Sequence, residues 1–155
     1  MTGERATGGD DELVIEAGEV RLRVSAREGG RIASLVVGGD ELIVTEGYGP
    51  IRWGCYPMVP FPGRIRDGRF TFRGRDVRLP VNLPPHAIHG TVFDRPWTVA
   101  GPDRLTIDLG PDWPFAGRVE QTFALRPDGL QVTLTLEADE PMPGAVGWHP
   151  WFRRA

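Results

Sequence analysis

Residues 129–138 read GLQVTLTLEA, and within them Leu130, Val132, Leu134 and Leu136 alternate unbroken with Gln131, Thr133, Thr135 and Glu137. Successive side chains of a β-strand point to opposite faces, so this run predicts a strand with one apolar and one polar face. The same arithmetic recurs upstream. Leu105, Ile107 and Leu109 oppose Thr106 and Asp108; Phe70 and Phe72 oppose Arg69, Thr71 and Arg73; Val20, Leu22 and Val24 oppose Arg21, Arg23 and Ser25. Turn-forming residues stand where such strands should reverse: Glu28-Gly29-Gly30, Gly38-Gly39-Asp40, Arg66-Asp67-Gly68, Arg73-Gly74-Arg75 and Pro127-Asp128-Gly129. No segment sustains a 3.6-residue period, and 15 prolines interrupt the candidates, so little or no helix is expected. The predicted architecture is all-β, a stack of antiparallel sheets with one face of each on the core.

A chain of 155 residues fits one domain with a core that needs no staple. Residues 1–11 are polar and acidic, unlike the basic and apolar start of a signal peptide, and are expected to be a disordered tail ahead of a domain over 12–155. No stretch approaches the roughly 18 apolar residues of a membrane span, which points to a cytoplasmic protein without a membrane partner. Lys and Arg total 18 against 21 acidic residues, a formal charge of −3, so no basic field exists to attract nucleic acid. The single cysteine, Cys55, can form neither an internal disulfide nor a cysteine-based metal site, and reads as a small buried group beside Trp53 and Tyr56.

Two segments break the alternation. Residues 47–66, GYGPIRWGCYPMVPFPGRIR, and residues 82–97, which hold His86, His89 and Trp97, are irregular, aromatic and stiffened by proline, the kind of segment on which sites are built. His86 and His89 have an H-x-x-H spacing, but Pro84 and Pro85 disfavour the helix that would align them, and a metal would need a third ligand from His149 or Asp94. No metal is therefore expected, and His86 reads as a structural histidine capping a turn. His89 precedes Gly90, which allows close backbone approach of a ligand, and His149 lies between Trp148 and Pro150 in an aromatic setting suited to proton transfer. Either histidine could equally be a core residue satisfied by backbone. Arg64 and Arg66 offer planar forks of donors for paired hydroxyls, or are simply solvated. Trp53, Tyr56, Trp97 and Trp148 could form a stacking platform for a sugar ring, or fill the core. No nucleophile elbow, P-loop or dinucleotide fingerprint is present in the sequence.

Taken in order, YPMVPFPGRIRDGRF (56–70), PHAIHG (85–90) and GWHPWF (147–152) resemble the aldose 1-epimerase (galactose mutarotase) family, over a span from about residue 12 to the end. The resemblance implies an incomplete galactose mutarotase-like β-sandwich, with neither metal nor organic cofactor, that interconverts the α and β anomers of a free hexose such as glucose or galactose. It assigns Arg64 to sugar hydroxyls, His89 to the ring oxygen and His149 to the general acid; of the aromatic platform residues, Trp148 is expected to contact the sugar. The family's general base is a glutamate in the second half of a longer chain. That position has no counterpart here; Glu120, Glu137 and Asp139 read as ordinary solvated carboxylates. The resemblance therefore implies truncation before the base, leaving open sheet edges for self-association or a complementing chain. A carbohydrate-binding module without turnover and the structural half of a split protein are the alternatives.

Overall fold

The computed structural model describes residues 5–9, 11–126 and 129–154. Among them the chain runs through β1 (Arg5–Gly9), β2 (Glu12–Ala17), β3 (Val20–Ser25), β4 (Arg31–Val37), β5 (Asp40–Glu41), β6 (Cys55–Met58), β7 (Arg64–Ile65), β8 (Arg69–Phe72) and β9 (Arg75–Arg78). It continues through β10 (Ala87–Ile88), β11 (Thr98–Gly101), β12 (Arg104–Asp108), β13 (Gly117–Arg126), β14 (Gly129–Ala138) and β15 (Gly147–Pro150). Helical backbone is confined, among these residues, to one 3-10 turn at Arg66–Gly68. The all-β antiparallel expectation holds.

Seven strands form one sheet in the order β1-β2-β3-β4-β6-β15, with β5 paired to β4, and β11-β12-β13-β14 form a second. The period-two residues meet between them. Leu13, Ile15, Leu22 and Val24 from the first sheet and Leu105, Ile107, Val119 and Phe123 from the second are buried in one cluster. Each such side chain contributes roughly 1.5–3 kcal/mol on leaving water. The apolar row of β14 packs against that cluster but is only half-buried, because β14 is the last strand of its sheet and has less cover.

The turn expectations separate into two groups. Glu28-Gly29-Gly30, Gly38-Gly39-Asp40 and Arg73-Gly74-Arg75 join strands that pair with each other. Arg66-Asp67-Gly68 does not: β7 pairs with β10 and β8 with β9, so this turn passes the chain from one small ribbon to another. Pro127 and Asp128 lie outside the described residues, between strands that pair from Arg126↔Gly129 onward. Within the segment expected to be a disordered tail, Arg5–Gly9 instead pair with β2, from Arg5↔Glu16 to Gly9↔Glu12. Polar composition does not prevent this, since an outer strand needs only the backbone groups that β2 leaves unpaired. Residues 1–4 and Asp10 lie outside the described residues.

Candidate functional site

β6 and β15 run antiparallel with Tyr56 opposite His149, so both rings rise from the same face of the sheet. They stack at 5.0 Å and 14°. Trp151, two residues beyond His149, returns to that face and stacks on the imidazole at 5.5 Å and 22°. His149 thus packs against two aromatic rings.

His89 arrives from a different element. Ile88 of β10 pairs with Arg64 of β7, and the side chain of Asn82 fixes that register by donating to the Ile88 carbonyl (3.0 Å) and accepting from its N–H (2.8 Å). His89 then turns the chain with φ of 61°, its N–H bonded to the Gly63 carbonyl. Gly90, at φ of 85°, lies so close to β6 that a Cβ there would overlap the Val59 carbonyl. This close approach brings the two histidines together, ring centroids 5.2 Å apart at 70°.

Arg64, His89 and His149 line one cleft of about 670 Å³ with Tyr56 and Trp151, a size within the roughly 300–1,000 Å³ of small-molecule sites. Burial, then His149 and Arg64, hold the His89 imidazole down to about 4, so the ring is neutral at neutral pH. Nδ1 of each histidine is buried with no hydrogen-bond partner, which leaves Nε2 as the nitrogen open to a ligand. A buried unpaired N–H is less tolerable than a buried lone pair. On that argument the proton of neutral His89 is assigned to Nε2, as a donor.

The rim is a loop over residues 47–54, held by Arg31, Tyr56 and Trp151. Arg31 is buried, and its guanidinium donates to the carbonyls of Glu28 (2.6 Å), Pro50 (2.7 Å), Trp53 (3.0 Å) and Phe93 (3.2 Å) while lying 4.3 Å over the Trp53 ring. On the cleft side, the Ile51 carbonyl accepts from Tyr56 Oη (3.2 Å) and Trp151 Nε1 (3.0 Å). Tyr56, its phenol pushed up to about 12 mainly by burial, is a fixed donor here.

Three of the candidate residues are brought together and others are not. Trp148 points to the opposite face of β15 from His149, where its indole donates to Gln121 (2.8 Å), whose amide in turn donates to Gly30 (2.7 Å). The tryptophan of the cleft is Trp151. Trp97 is core, its indole bonded to the Val92 carbonyl, and Trp53 stacks on Arg31. Arg66 stays exposed in its turn. His86 accepts from the Asp67 N–H at 3.2 Å and so holds that turn. Cys55 is half-buried, and burial pushes its thiol up to about 11. Among the described residues no three His, Cys, Asp or Glu side chains gather as a metal site would require, and no helix is long and apolar enough to cross a membrane.

The chain is similar to the mouse galactose mutarotase (30% identical over 154 residues, covering 86% of this chain and 41% of the relative). It is also similar to the Escherichia coli K12 protein YphB (32% over 105 residues, covering 63% and 36%). Among solved structures, a galactose mutarotase-like protein from Clostridium acetobutylicum superposes with a TM-score of 0.77 at 18% identity, over 97% of this chain and 54% of that one. An Escherichia coli K12 crystal structure superposes with a TM-score of 0.78 at 27% identity, over 97% and 52%. The chain spans less than half the length of these curated relatives and about half that of the solved structures. The Aldose 1-epimerase family model matches residues 11–155, and the chain belongs to that family.

Proposed function

We propose that this chain forms the acid side of an aldose 1-epimerase site, binding a free hexose such as glucose or galactose and promoting exchange between its anomers. One observation carries the reading: Arg64, His89 and His149, from three separate motifs, line a single cleft with the two imidazoles 5.2 Å apart. Arg64 holds sugar hydroxyls with its donor fork, neutral His89 donates to the ring oxygen, and the sugar's C–H face lies on the exposed Trp151. His149 then delivers a proton to the ring oxygen as the C1–O5 bond breaks, the proton of the anomeric hydroxyl leaving to a base. The aldehyde turns about C1–C2 and the reverse steps close the ring on its other face. No carboxylate lines the cleft among the described residues. The base of a full cycle is therefore proposed to come from a complementing segment.

NMR exchange between α- and β-anomers of glucose and galactose tests this. Exchange above the buffer rate, with water taking the anomeric proton, and a fall toward the buffer rate in His149→Asn are expected. A rate equal to buffer overturns turnover by this chain alone. The missing carboxylate favours a second reading, carbohydrate binding without turnover, which predicts tryptophan quenching by sugar with no rate enhancement.

A further inference from the structure

We infer that β14 is the contact through which two copies of this chain associate, the two strands pairing antiparallel about a two-fold axis at Leu134. β14 is the last strand of its sheet, so one side of its backbone has no strand partner among the described residues. Edge strands are ordinarily kept apart by shortness, proline, bulges or charge. The other ends of the two large sheets carry such protection. β11 has four residues and a register shift, β15 has four and ends in Pro150, and β1 has five, opening on Arg5. β14 has almost none of it. Its ten residues pair with β13 without a shift, contain no proline and carry one charge, at Glu137. Its apolar row stays half-buried. This edge is independent of the aldose reading, because no residue of β11–β14 lines the histidine cleft.

The strand is its own complement. Antiparallel pairing about Leu134 keeps every side chain on the face it already occupies. On the core side Leu134 meets the partner's Leu134, and Val132 meets the partner's Leu136, so the two half-buried rows cover one another. On the outer side Thr133 meets the partner's Thr135, and Gln131 meets the partner's Glu137. Glu137 therefore never faces its own copy, and the group it does face is prepared for it. Arg126 donates to the Gln131 amide oxygen at 3.2 Å, which leaves the amide NH2 as the group to offer, and Arg118 already holds Glu137 at 3.1 Å. Arg126, Gln131, the partner's Glu137 and the partner's Arg118 then form one row of alternating donors and acceptors, repeated by symmetry at the other end. Sliding the pairing by two residues in either direction loses the match between Gln131 and Glu137. This complementarity selects a second copy as the occupant, in a closed pair.

Sedimentation velocity of the full chain from about 1 to 300 μM tests the inference, with a monomer–dimer equilibrium in the micromolar range expected. Thr133→Lys/Thr135→Lys sets lysine opposite lysine twice across the pair and should weaken association roughly tenfold or more, less so in high salt. Thr133→Glu/Thr135→Lys charges the same two positions but sets glutamate opposite lysine, and should associate at least as tightly as the unsubstituted chain. Both variants should keep the fold, which circular dichroism checks, since these side chains are exposed and their neighbours on β13 are Thr122 and Glu120. A chain that stays monomeric throughout overturns the inference and leaves the edge to strands of another polypeptide. Association unchanged by the two lysines overturns the role of β14. Loss of association in both double variants overturns the register about Leu134, and growth beyond a dimer overturns the closed pair.

Discussion

Acidification should destabilise this fold through one identifiable ring. His89 is held down to about 4, by burial first and then by His149 and Arg64, against about 6.5 for an unperturbed histidine. In the unfolded chain the ring takes its proton near pH 6.5. Between that value and 4 the unfolded state binds more protons than the folded one, so stability falls as pH falls across this window and levels off below it. The full gap corresponds to roughly 3 kcal/mol at most. Because the ring is only half-buried and opens onto the cleft, solvent screening reduces the expected loss to about 1–2 kcal/mol.

Urea unfolding at pH 7.5 and 4.5 isolates this effect when the chain is compared with His89→Asn. Asparagine is among the few residues that accept the left-handed backbone found at position 89, so the change removes the titration with little strain. Carboxylates titrate in both proteins and cancel in the difference. The unsubstituted chain should lose about 1–2 kcal/mol more than the variant between the two pH values; equal losses refute the reasoning. Following the His89 ring protons by NMR gives an independent check. Its midpoint should lie far below 6.5 and rise in both Arg64→Gln and His149→Asn, and a midpoint near 6.5 would contradict the burial and charge argument directly.

Arg31→Met removes the donor to four carbonyls at once and should cost at least about 3 kcal/mol in urea unfolding; a loss below about 1 kcal/mol would mean the loop holds without it. Gly90→Ala places a Cβ at positive φ against the Val59 carbonyl and should cost about 2–3 kcal/mol by thermal unfolding, with an unchanged midpoint contradicting the close approach.

Strand content was legible because period-two alternation is local, and GLQVTLTLEA carries its own two faces wherever it sits. Pairing partners were less so. Arg66-Asp67-Gly68 has the composition of a hairpin turn, yet β7 finds its partner in β10, some twenty residues away, because the Asn82 amide fixes Ile88 beside Arg64. Arg31 left one faint signal, a charged residue heading an apolar strand directly after Gly29-Gly30. Its role depends on carbonyls brought from residues 50, 53 and 93, which no local pattern reveals.

The choice between Trp148 and Trp151 shows how far the same rule could have been pressed. Once His149 is given to the cleft, alternation sends Trp148 to the opposite face and returns Trp151 to the same one. The side chains obey this: Trp148 bonds to buried Gln121, which reaches Gly30 at the β3–β4 turn, while Trp151 stacks on His149 and ties down Ile51. A one-residue slip of β15 against β6 would exchange the two faces, pointing His149 away from the cleft and stranding Gln121 without its indole partner. The buried Trp148–Gln121–Gly30 chain therefore holds the register that places the imidazole in the site. Trp148, expected to touch the sugar, serves the site from behind the strand.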